Sequence, residues 1–130
     1  MATVPAERVP LDDHLGALSP DERALWERFA GLIRDAGPSE IIVTKSRIAF
    51  RAHRIFAGAF FAGGRLEIFF DLPEPIRERE RDHRFRQVWE QARKLWTHRL
   101  TLQSPDDVDE DLGAWLKTSW AVYSRPAAER

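Results

Sequence analysis

Lys45, Arg47, Arg51 and His53 occupy odd-numbered positions beside the alternating apolar residues Ile48, Phe50 and Ala52. On one strand beginning at Ile41 and Val43, they form a basic row with successive same-face residues about 7 Å apart. Such a row suits an anionic ligand, and Lys45 supplies the compact charge that partners a phosphate or carboxylate. His98 alternates with Trp96, Leu100 and Leu102, which sets an imidazole on an apolar strand face. An imidazole there is either a packed, hydrogen-bonded side chain or, at a pocket edge shared with Lys45, a contact for an anion. Phe56, Phe60 and Phe69 form a third set, too aromatic for a fully wetted sheet surface, and with Trp96 they suit an apolar groove or a dimer interface. The expected binding residues are therefore Lys45, Arg47, Arg51, Phe56, Phe60, Phe69, Trp96 and His98.

Other chemistries lack their residues. The chain has no cysteine, which removes thiol nucleophiles, disulfides and Cys-ligated zinc. His14, His53, His83 and His98 lack the close spacing of a helical zinc motif. The acidic run Asp106–Asp111 lacks the glycine and terminal glutamate of a calcium loop, so Asp107 and Asp109 read as helix-start partners. No Gly-x-Ser-x-Gly elbow surrounds Ser46 or Ser104, and Gly63-Gly64 has hairpin flanks instead of a phosphate loop's helix. Neither a metal nor a cofactor is expected. The arginines 77, 79, 81, 84 and 86 suggest nucleic acid, but Glu78, Glu80 and Asp82 interleave with them, so a solvated connector over 76–86, mobile or loosely helical, is the expectation.

The elements that must position these residues follow from pattern. At 130 residues and a net charge of −1, with five Trp and eight Phe, the chain suits one folded domain and not a wholly basic nucleic-acid binder. The first ten residues have no signal-peptide pattern and no segment is a membrane span, so a cytoplasmic protein is expected. Residues 1–18 read as an extended arm, 19–124 as the domain and 125–130 as a frayed tail. Ser19-Pro20-Asp21-Glu22 and Ser104-Pro105-Asp106-Asp107 are near-identical helix starts, combining a capping hydroxyl, proline in the first turn and an acidic residue three places on. The first predicts a helix over 21–36 that Gly37-Pro38 ends, the second a helix over 106–123. Gly63-Gly64 predicts a tight hairpin pairing Phe61 with Leu66, Ala59 with Ile68, Ala57 with Phe70 and Ile55 with Leu72. Residues 85–92 and 95–102 read as two further strands, with a helix over 82–96 as the alternative. The fold class is α+β, an antiparallel meander of about five strands flanked by N-terminal and C-terminal helices.

Several strings carry a family resemblance: Leu11-Asp12-Asp13-His14-Leu15, Val43-Thr44-Lys45-Ser46 with Ile48 and Phe50, Phe56-Ala57, and His98 with Leu100, Leu102, Ser104, Asp109 and Trp115-Leu116. In order and spacing the chain resembles the bacterial domain-of-unknown-function family 5655, whose members are often described as transport proteins. The resemblance implies a compact α+β domain, sometimes fused to nuclease-like domains, and supplies no catalytic residues. The functional expectation is a non-enzymatic binding or interaction module for a small anionic or amphipathic ligand or for a second copy of itself, with no membrane contact. The alternatives are a nucleic-acid accessory domain, and a hydrolase or transferase using His98 as base.

Overall fold

The computed structural model describes residues 7–130. Helix α1 (Asp12–Leu15) precedes α2 (Pro20–Ala36), and then come strands β1 (Glu40–Val43), β2 (Ile48–Arg51), β3 (Ile55–Ala62), β4 (Arg65–Leu72), β5 (Phe85–Ala92) and β6 (Leu95–Leu102). Helix α3 (Glu110–Tyr123) follows. The six strands form one antiparallel sheet in the order β1-β2-β3-β4-β6-β5. Among the described residues no helix is long and apolar enough to cross a membrane.

Helix α2 starts as its sequence dictates. The Ser19 hydroxyl accepts from the Glu22 amide at 3.2 Å, and the Glu22 carboxylate accepts from the Ser19 amide at 3.1 Å. The second start differs from expectation. Residues Pro105–Asp107 form a separate 3₁₀ turn, and α3 begins after Asp109, whose carboxylate accepts the Leu112 amide at 3.0 Å. Asp107 accepts from the amides of Gln103 and Ser104, so both aspartates cap backbone. The β3–β4 hairpin closes through Gly63 and Gly64, both at positive φ, in the expected register from Ala57–Phe70 to Phe61–Leu66. Pairing stops there, and Ile55 does not oppose Leu72.

The strand count is six because the segment expected as one strand from Ile41 to His53 folds back on itself. Thr44 donates its amide to the Arg47 carbonyl at 2.9 Å, closing a turn between β1 and β2. Both helices cover one face of the sheet. Trp26 and Phe29 of α2 pack on Phe50 with ring centroids 6.3 and 6.1 Å apart, and Trp115 of α3 stacks on Phe70 at 6.0 Å. Ile48, Ala57, Ala59, Leu66, Ile68, Leu100 and Leu102 complete the core beneath them. The sequence between β4 and β5, expected as a mobile or loosely helical, solvated connector, is a 3₁₀ turn (Arg77–Arg81) followed by Arg84, which is buried. At the chain's end residues 127–129 form a further 3₁₀ turn, and the Arg130 guanidinium lies 5.4 Å over the Tyr123 ring.

Candidate functional site

The face of the sheet away from the helices is built from cross-strand rows. In one, Trp89 of β5 pairs with Thr97 of β6, which pairs with Asp71 of β4. In the next, Gln87 pairs with Arg99, Arg99 with Phe69, Phe69 with Gly58 and Gly58 with Ala49. The third joins Thr101, Glu67 and Phe60. Between these rows lies a groove of about 320 Å³, lined among others by Arg47, Arg54, Phe60, Phe69, Trp89 and Arg99.

Two threonine–carboxylate pairs lie on this face, the first of them lining the groove. Thr97 Oγ1 donates to Asp71 Oδ1 at 2.8 Å, and Thr101 Oγ1 donates to Glu67 Oε2. Arg54 completes the first pair, with Nη2 3.1 Å from Asp71 Oδ2, and Arg86 Nε donates to Thr101 Oγ1 at 3.1 Å. Asp71 is only 3% exposed, and burial raises its carboxyl above the usual range despite Thr97, Arg54 and Arg47. Two cations border the groove differently. The Arg47 guanidinium lies 5.2 Å over the Phe69 ring and that of Arg99 5.5 Å over Phe60. Neither has a carboxylate within 4.0 Å among the described residues, and Arg99 Nε is buried without a hydrogen-bond partner.

Gly58 makes the floor flat. A Cβ there would lie 2.3 Å from Phe69 Cε1 and 2.9 Å from the Ile48 carbonyl oxygen, so the bare backbone lets the ring lie down across the strand. Arg47 covers the ring's other side. Gly58→Ala is expected to lift Phe69 off the sheet and to cost about 2 kcal/mol, the usual scale of overpacking, as read by urea denaturation. An unchanged midpoint would show that Phe69 relaxes freely.

The structure scatters the residues expected to act together. Arg47, Phe60 and Phe69 line the groove. Lys45 is exposed in the β1–β2 turn, and Arg51 is tied to its register partner Glu40, whose carboxyl it holds below the usual range. Phe56 is fully buried in the core. The β2–β3 register shifts after Phe50, which pairs with Ala57 while Arg51 pairs with Ile55. Phe56 is thus the extra residue of a bulge, and Ile55 takes its place at the groove. Trp96 and His98 pair with Leu72 and Phe70, on the helix-covered face. Lys45 and His98 are therefore not brought together: β3 and β4 separate β2 from β6.

His98 is a strut. Its Nε2 accepts from the Ile76 amide at 3.1 Å, its Nδ1 donates to the Trp96 carbonyl at 3.1 Å, and its ring stacks on Phe70 at 5.1 Å. Both nitrogens are spent on backbone, and burial pushes the imidazole pKa down to about 4. The arginine run is likewise largely committed. Arg79 donates to the Ile76 carbonyl, Arg86 to Thr101 and the His83 carbonyl, and Arg84 to Asp82 and Asp109. Groove residues absent from the sequence-based set include Trp89, Arg99, Arg54, Asp71 and Thr97. For Thr97 and Arg99 the available signal is the odd-numbered face of β6, where Thr97, Arg99 and Thr101 alternate with the apolar residues.

Two of the strings that carry the family resemblance touch in space, and the ends of the last one come together. His14 Nε2 donates to the Thr44 carbonyl at 2.6 Å, joining the first two, and Trp115 stacks on Phe70 beside His98, joining the last. No curated protein and no solved structure matches the chain. One family profile does, that described as Domain of unknown function (DUF5655), over residues 12–122. The match runs from α1 almost to the end of α3, and the chain belongs to the DUF5655 family.

Proposed function

We propose that this protein is a non-enzymatic binding module that holds a small anionic or amphipathic ligand on the uncovered face of its sheet. One observation carries the reading: two guanidiniums without acidic partners, Arg47 and Arg99, border a groove floored by aromatic rings that neither helix covers. A hydrolase or transferase using His98 as base has less support, because both ring nitrogens face backbone groups of the chain itself. Self-association through this face also has less support. Phe60 and Phe69 lie half-buried under arginines, and Ile41, on the other face, is the large apolar side chain left exposed among the described residues.

A thermal-shift screen of small anions and amphiphiles, followed by amide NMR mapping of the hits, tests the reading. A hit at a hundred times its dissociation constant is expected to add about 2.7 kcal/mol and to shift the amides of Phe60, Phe69, Trp89 and Arg99. Hits that map only to the helix side would overturn it, as would a screen without hits.

A further inference from the structure

We propose that the groove takes a flat aromatic ring bearing an anionic group, the ring lying beside Trp89 and over the guanidiniums that cover Phe60 and Phe69, and the anion held by the free N–H donors of Arg47 and Arg99. This rests on the uncovered face being the binding surface and names the chemistry that fits it.

Charge supports the anion. Three guanidiniums and one carboxylate line the groove, and Arg54 already neutralises Asp71 at 3.1 Å. Arg47 and Arg99 remain. Each rests on a ring face, a contact that holds a guanidinium in a fixed orientation without satisfying its N–H donors. The buried, unpartnered Nε of Arg99 is such a donor, and an oxyanion reaching it would make a charge-assisted hydrogen bond. Shape supports the ring. Gly58 lets Phe69 lie flat against the strand, so the floor is planar where a side chain would otherwise stand. Trp89 belongs to the row two residues along β6 from that of Phe69, so indole and phenyl flank the same opening. A volume of about 320 Å³ matches one or two fused rings with a small substituent and is at the low end of ligand cavities.

Titration calorimetry on the full chain with indole-3-acetate, salicylate and AMP, against indole, acetate and inorganic phosphate, tests the proposal. At least one ring-bearing anion is expected to bind about tenfold or more tighter than its ring or its anion alone, and more weakly as salt is raised. The carboxylates and AMP separate a carboxylate ligand from a phosphate one. Arg99→Gln and Arg47→Gln are each expected to weaken binding about tenfold with the melting temperature nearly unchanged, while Lys45→Gln leaves binding as it was. Equal affinity for indole and indole-3-acetate, or binding indifferent to both arginine substitutions, would overturn the proposal. A non-aromatic ligand shifting the Phe60 and Phe69 amides while no aromatic anion binds would also overturn it, yet leave the binding surface standing. No ligand on this face in either screen would remove both.

Discussion

Arg84→Met is expected to lower the stability of this protein by about 3 kcal/mol, the scale set by removing one partner of a buried ion pair. Arg84 is 4% exposed, and four of its contacts are charge-assisted or directed at backbone. Its Nε and Nη2 fork onto the Asp82 carboxylate at 2.9 and 2.6 Å, and Nη1 reaches both Asp109 Oδ1 and the Asp107 carbonyl at 2.8 Å. The guanidinium plane also lies 5.4 Å over Trp115. These bonds tie the start of β5 to the start of α3, and Asp82 is held below the usual carboxylate range chiefly by its hydrogen bonds from Arg84. Methionine fills the volume and leaves Asp82 and Asp109 facing each other uncompensated. Lysine keeps the charge but loses the fork, so Arg84→Lys is expected to recover only part of the loss. Urea denaturation at pH 7 reads both. An Arg84→Met midpoint equal to the unmodified chain's would mean that these contacts merely offset their desolvation.

The second large effect is a loss of stability on acidification, caused by His98. A free imidazole protonates near pH 6.5, whereas in the folded chain its pKa lies at about 4. Between those values the unfolded chain binds a proton that the folded chain does not, so stability falls as pH falls. The full difference comes to about 3 kcal/mol, present above pH 6.5 and lost on approach to pH 4. Asp71 works the other way. Its raised carboxyl takes up a proton earlier in the folded chain, so folding gains as pH falls through that range. His98→Gln separates the two. Its carboxamide can still accept from the Ile76 amide but does not titrate, so its stability is expected to be lower at pH 7 and to change less toward pH 4.5. Parallel pH profiles for the two chains would remove His98 as the cause.

Local signals in the sequence were strong wherever the chemistry was local. Ser19 with Glu22, Gly37-Pro38 and Gly63-Gly64 act within a few residues, and α2 and the β3–β4 register follow from them. The β1–β2 turn was hidden because Thr44-Lys45-Ser46-Arg47 contains no glycine, proline or asparagine, so one strand was read where two lie. Phe56 was assigned to the wrong face because strict alternation has no place for an inserted residue, and the bulge beside Arg51 reverses the parity of everything before Ala57. Arg84 sat in an alternating charge run that reads as solvated. Distant partners, Asp107, Asp109 and Trp115, make it interior. The groove was the least legible part, because the covered face of a sheet is decided by where distant helices dock. Alternation along β6 singles out His98 on the even-numbered face and carries no sign that Thr97 and Arg99 opposite it border a groove.

The chain leaves β4 for the outer edge at β5 and returns as β6, so the sheet consists of the β1–β4 meander and the β5–β6 hairpin joined along a single seam, from Leu66–Leu102 to Leu72–Trp96. The groove straddles that seam. Phe69 and Asp71 come from one side of it, Arg99 and Thr97 from the other, and the partners along it are up to 36 residues apart in sequence. Neither half alone owns a binding surface: the site exists only while meander and hairpin are zipped, and an occupant touching both would act as a clasp on the fold itself.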